Sequence, residues 1–147
     1  MINNFKLALS NYPTGIICIF SKNLKGYYDS IIINSFASVS LKPLLVLWSL
    51  DKKSSKFNVF KNSKNHIVVI LSGNQKKITK ELAFQKDQIS KKEFSNILKK
   101  SICYFTCSKN KVIKAGDHLT FFLKINKISQ IKKNRPLIYY KKKFLIL

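Results

Sequence analysis

Three short stretches carry the residue types that could do chemistry. In "KAGDHLTFFLKI" an acid and a histidine, Asp117 and His118, stand side by side after Gly116. A carboxylate beside an imidazole can fix its tautomer and aim its other nitrogen at a ligand. In "WSLDKKSSK" the residues Asp51, Lys52, Lys53, Ser54, Ser55 and Lys56 follow an apolar run, with Ser54 or Ser55 predicted to cap a helix. Amides at a helix start, hydroxyls and ammonium groups together suit a phosphate. In "NSFASVS" the donors Asn34, Ser35, Ser38 and Ser40 are separated by Phe36, Ala37 and Val39. One such turn could grip a phosphate and the other the polar edge of a planar ring. The plain alternative is ordinary polar turns, a solvated lysine cluster and a histidine beside a turn aspartate.

The elements that position these groups are read from periodicity and punctuation. Ile2, Phe5 and Leu9 share one helical face, which predicts a helix over 2–10, ended by Pro13 and Gly15. "GIICIF", "YYDSIIINSF", "LLVLWSL" and "HIVVIL" read as strands, the last two as fully buried ones. A short helix is expected within 51–63, and a second in "NQKKITKELAF", where Ile78 and Leu82 are four apart. Ser90 and Glu93 have capping-box spacing, with Ile89 and Phe94 as a staple, so a helix should cover 91–100. "SICYFTCS" reads as a strand ended by a turn at "KNK". "HLTFFLKINKI" reads as a long strand, and "PLIYY" with "FLIL" as a hairpin around residues 141–143. Many strands with a few short helices predict a small mainly β domain, a barrel or sandwich, spanning residues 1–147.

The net charge is +22, with 28 Lys and Arg against 6 acids. So strong a field attracts phosphorylated ligands. Arg135 is the one arginine, so the guanidinium forks used to read bases and phosphates are missing. The lysine excess, with abundant Ile, Asn, Phe and Tyr, reads as base-composition drift rather than adaptation to nucleic acid. Tyr139, Tyr140 and the lysines at 141–143 keep a single-strand-binding platform as a remote alternative.

No apolar run reaches the roughly 18 residues needed to span a membrane, and no secretory leader is read at the N-terminus. Cys18, Cys103 and Cys107 have no CxxC spacing and are expected as free buried thiols in a reducing cytoplasm. His66 and His118 lack ligand-spaced neighbours, so no metal site is expected. Phosphate-loop, dinucleotide and nucleophile-elbow motifs are absent. Chemistry carried by a bound cofactor fits this set better than conventional acid–base catalysis.

The strings "YPTGI", "NSFASVSLKPLLVLWSLDKKSS", "AGDH" and "RPLIYYKKKF", in this order, resemble the flavin reductase-like family over about residues 12–144. The resemblance implies an FMN-binding split barrel, a six-stranded Greek-key barrel, acting as a homodimer. It implies FMN, or else FAD or riboflavin, reduced by NADH or NADPH, with the reduced flavin passed to a partner monooxygenase. Carried over, Asn34, Ser35, Phe36, Ser38, Val39 and Ser40 would line the isoalloxazine and ribityl chain. Asp51, Lys52, Ser54 and Ser55 would lie at the flavin phosphate. Gly116, Asp117 and His118 would flank flavin and nicotinamide, with His118 the catalytic candidate, and residues 135–139, Tyr139 included, would close the pocket. The sequence departs from the family's pattern at Ser30, Ile32, Leu123 and Lys142, and between Phe84 and Ser101. A flavin-binding barrel without reductase turnover is therefore the alternative.

Overall fold

The computed structural model describes residues 1–85 and 87–147. The chain opens with α1 (Ile2–Ser10) and the short β1 (Thr14–Gly15), then β2 (Ile17–Lys22), β3 (Tyr28–Ile33), β4 (Ala37–Leu41) and β5 (Leu44–Asp51). The helix α2 (Phe57–Asn62) leads to β6 (Asn65–Ile70), a 3-10 turn, α3 (Lys76–Phe84) and α4 (Lys91–Lys100). The chain closes with β7 (Cys103–Ala115), β8 (His118–Ile128), β9 (Leu137–Tyr140) and β10 (Lys143–Ile146).

Seven strands form one antiparallel sheet in the order β3-β2-β6-β7-β8-β5-β4, and β1, β9 and β10 form a three-stranded one. The larger sheet thus has one strand more than the expected six. Alternation on β2 explains the packing. Ile17 and Ile19 enter one core cluster with Val46, Trp48, Val68, Phe121 and Leu123. Cys18 and Phe20 point the other way into a second cluster with Leu71, Leu82, Phe94 and Leu137. Strands buried on both faces read as continuous apolar runs, which is why "GIICIF" and "HIVVIL" do not alternate. Trp48, Phe60 and Phe121 are fully buried, with Trp48 and Phe121 stacked at 4.8 Å. Each such side chain contributes about 1.5–3 kcal/mol by leaving water.

Local signals set several boundaries. Ser90 Oγ accepts from Glu93 N, and the Glu93 carboxylate accepts from Ser90 N at 2.8 Å, so α4 starts where its capping box does. The staple partners Ile89 and Phe94 are both buried. Lys141 and Lys142 turn the β9–β10 hairpin at φ 46° and 61°, a left-handed pair that usually favours asparagine and glycine.

Two expectations are corrected. "KNK" is not a turn: β7 runs on to Ala115, and a register shift between Lys109 and Lys111 absorbs the irregularity as a bulge. Lysines on the exposed flank of a long ribbon look like a loop in sequence. "ASVSL" is not a mere lead-in but β4, the terminal strand of the larger sheet, largely exposed. The helix α1 forms as expected, yet Ile2, Phe5 and Leu9 remain 71%, 64% and 51% exposed.

Candidate functional site

The β7–β8 hairpin and the loop after β5 meet. His118 pairs with Ala115 across the hairpin and with Asp51 across the β5–β8 ladder. Gly116 takes φ 56° in the tight turn, a conformation glycine adopts without strain. Asp117 Oδ1 lies 2.7 Å from His118 Nδ1, which fixes the ring with Nε2 pointing away from that carboxylate. The hydrogen bond and charge of His118, with Lys52 nearby, hold the Asp117 carboxyl below the usual range. Lys52 ties the two loops: its amide donates to the Asp117 carbonyl at 2.9 Å and its ammonium to the Gly116 carbonyl at 2.5 Å.

The loop from Asp51 to Lys56 is internally braced. The Asp51 carboxylate accepts from Lys53 N at 2.8 Å, and its carbonyl accepts from Ser54 N at 3.0 Å. Ser54 Oγ accepts from Lys56 N at 3.2 Å, and the Ser54 carbonyl from Phe57 N at 3.0 Å. Neither Ser54 nor Ser55 caps α2. The helix begins at Phe57, Lys56 holds the N-cap position, and no side chain among the described residues caps it. The reason is local: the Ser54 hydroxyl closes a turn one step earlier. With six residues, α2 offers little dipole, so the loop itself carries the groups that could meet an anion. Ser55, exposed, keeps an amide without a partner among the described residues, flanked by exposed Lys52 and Lys53. Four amides of this stretch, those of Lys53, Ser54, Lys56 and Phe57, are thus taken up by their neighbours, and the amide of Ser55 is left to meet a ligand from outside.

The segment from Asn34 to Ser40 is split in role. Ser35 Oγ donates to the Ser49 carbonyl and accepts from Ser49 N, both at 3.0 Å, so it pins the β3–β4 connection to β5. Ser49 Oγ in turn lies 2.9 Å from Thr120 Oγ1 on β8, two residues from His118. Phe36 packs on the first core cluster. Asn34, Ser38 and Val39 are exposed, and Ser40 Oγ accepts from Lys42 N. Because β4 pairs with β5 alone, its outer edge presents main-chain donors and acceptors.

Tyr139 is not brought to this cluster within the chain. It lies on β9 in the smaller sheet, against the second core cluster, its ring 5.5 Å from that of Phe144. The cysteines are free and buried, and burial pushes the Cys107 thiol up to about 12. A protonated buried thiol is a poor nucleophile at neutral pH.

Sequence reading missed one polar group beside the loop. Asp29 on β3 is 3% exposed, and its Oδ1 accepts from Lys56 Nζ at 2.8 Å. Its Oδ2 accepts from Gln88 Nε2 at 2.7 Å. The available signal was an acid inside the apolar run "YYDSIII", since a buried carboxylate needs a partner.

A mainly antiparallel β protein with a braced, lysine-flanked loop against an Asp–His hairpin is the class that fold and site define. Residues 9–147 match the family described as flavin reductase like domain. The chain belongs to that family. It is 25% identical over 144 residues to a flavin reductase of Pseudomonas putida, covering 93% of this chain and 85% of that one. It is 31% identical over 121 residues to an FMN reductase (NADH) of Agrobacterium fabrum, covering 78% and 69%. Among solved structures, the flavin reductase PheA2 superposes with TM-score 0.83 at 26% identity, over 99% of this chain and 97% of that one. The flavin reductase component of a bacterial two-component tryptophan halogenase gives TM-score 0.88 at 18% identity, a likeness of fold, over 100% and 98%.

Proposed function

We propose that the protein is an NAD(P)H-dependent flavin reductase that uses FMN and supplies reduced flavin to a partner monooxygenase. The observation that carries this reading is Lys52, which joins the anion loop to the hairpin bearing Asp117 and His118. A phosphate and a reacting ring held by these two loops would be fixed relative to each other.

In this reading Ser55 N, the Ser54 hydroxyl and Lys52 and Lys53 hold the flavin phosphate, while Asp51 shapes the loop rather than touching the anion. Asn34, Ser38 and the open edge of β4, with Val39 beside them, meet the polar edge of the isoalloxazine. Ser35, Phe36 and Ser40 set the backbone of that segment. Bound flavin supplies the hydride-accepting centre, and the protein's contribution is to stack the nicotinamide on it and exclude water. His118, its Nδ1 held by Asp117, presents Nε2 on the nicotinamide side. Gly116 lets the hairpin tip approach closely.

The reading includes closure of the seven-stranded sheet into a split barrel, acting as one domain over residues 1–147 and as a homodimer. Tyr139, on β9 of the smaller sheet, would then come from the second copy, and the exposed apolar face of α1 offers surface for it. A cytoplasmic location supplies NAD(P)H and keeps the thiols reduced.

FMN-dependent oxidation of NADH and of NADPH, with riboflavin and FAD as alternatives, tests this. Turnover with FMN in preference to riboflavin supports the phosphate loop. Tight FMN binding with neither nucleotide oxidised would leave a flavin-binding protein without reductase activity.

A further inference from the structure

The loop that would hold the phosphate is anchored at both ends, and the second anchor lies outside the cluster described above. At the near end Lys52 is tied to the hairpin. At the far end Lys56 enters the protein and meets Asp29, both residues under a tenth exposed. The other oxygen of the same carboxylate takes the amide of Gln88, whose Oε1 accepts from Asn23 Nδ2 at 2.9 Å. Gln88 belongs to the connection between α3 and α4, and that connection is fastened to β3 by reciprocal backbone bonds between Tyr28 and Ile89 at 3.0 and 2.9 Å. Asp29 therefore sits where three segments meet: β3, the anion loop and the α3–α4 connection.

We infer that Asp29 is a positioning residue for phosphorylated flavin: through Lys56 it holds the Ser54–Ser55 turn in its anion-binding shape, and through Gln88 it couples that turn to the α3–α4 connection. This rests on the reading of the loop as a phosphate site. The physical reason is directional. A carboxylate has two oxygens, and here each is committed to a different segment: one to the buried Lys56, the other to the exposed Gln88, both as short charge-assisted bonds. A shift of either segment disturbs the acceptor of the other. Lys56, buried against Asp29, shapes the loop from inside, while the exposed Lys53, and Lys52 through the ammonium hydrogens not given to Gly116, face the anion.

The test is Asp29→Asn, nearly isosteric, with Gln88→Leu as a second variant that keeps the ion pair. FMN and riboflavin affinities are measured by flavin fluorescence, and backbone hydrogen exchange of residues 87–90 with and without FMN. For Asp29→Asn the expected result is FMN binding weaker by roughly tenfold with riboflavin changed less than about twofold. FMN should slow exchange at 87–90 in the native protein, and in neither variant. A merely structural role would weaken both flavins alike. Equal losses for FMN and riboflavin, no loss in Asp29→Asn, or FMN protection that survives in Gln88→Leu overturns the inference. Should Asp29→Asn fail to fold, the Gln88→Leu exchange result alone decides. A native protein that binds FMN no better than riboflavin overturns the phosphate reading itself, a distinct outcome.

Discussion

The Asp117 carboxylate lies 2.7 Å from His118 Nδ1, while the carbonyl of the same aspartate accepts from the Lys52 amide at 2.9 Å. One residue thus orients the histidine and joins the hairpin to the loop after β5. His118→Ala should lower kcat about tenfold to a hundredfold, the scale of a misplaced reacting pair, with flavin affinity within about threefold. Stopped-flow flavin reduction and a fluorescence titration separate the two. Asp117→Ala should give a smaller fall in kcat, since the ring then loses its orientation and not its presence.

The proposed phosphate site in the loop from Asp51 to Lys56 predicts discrimination by phosphate. Changing Lys52 and Ser54 together to alanine removes an ammonium and the hydroxyl that braces Lys56 N. FMN affinity should fall by about tenfold to a hundredfold while riboflavin affinity holds, because charge-assisted bonds to the phosphate are lost. Rising salt should weaken FMN binding and barely alter riboflavin binding.

His66 predicts the acid limit of the fold. It is fully buried among Trp48, Phe60 and Phe121, with Nε2 3.3 Å from the Phe60 carbonyl and Nδ1 without a partner among the described residues. Burial lowers its pKa from 6.5 to about 4, with the Phe60 carbonyl opposing and Lys109 assisting. Because the folded value is the lower one, the unfolded chain binds the proton first. The stability that His66 gives as a neutral ring is full above pH 6.5 and is lost as the pH falls toward about 4. The whole effect is about 3 kcal/mol at most. Denaturant unfolding of His66→Phe at pH 7 and near pH 4.5 should show a flatter pH dependence than the native chain.

The β9–β10 turn predicts a stabilising change. Lys142 stands at φ 61°, where a side chain is strained. Lys142→Gly should stabilise the protein by about 1 kcal/mol, read as a Tm higher by about 2–4 °C.

Much of this architecture was legible because local chemistry decided it. The capping box at Ser90 and Glu93 placed α4 to the residue, and the long alternation from His118 placed β8. That the stretch after β5 and the Asp117–His118 hairpin would meet was not legible, nor was the division of labour within the three stretches. Ser35 looks like a ligand donor in sequence and is instead bonded twice to Ser49, a residue 14 positions away whose side chain meets Thr120. Ser54 looks like a helix cap and closes the preceding turn. The Asp29–Lys56 pair joins residues 27 apart, and nothing local announces such a partner. Lysine blurred the reading throughout: at 109–111 it suggested a loop where a strand continues through a bulge.

The central claim is tested most directly by mixing the purified protein with FMN and NADH, then NADPH, without oxygen, and following the visible absorbance of the flavin. The account predicts bleaching at a rate proportional to enzyme with at least one nucleotide, and slower bleaching in His118→Ala at equal flavin occupancy. Bound flavin that neither nucleotide bleaches would contradict the reductase assignment, and bleaching unchanged in His118→Ala would contradict the place given to the Asp117–His118 pair.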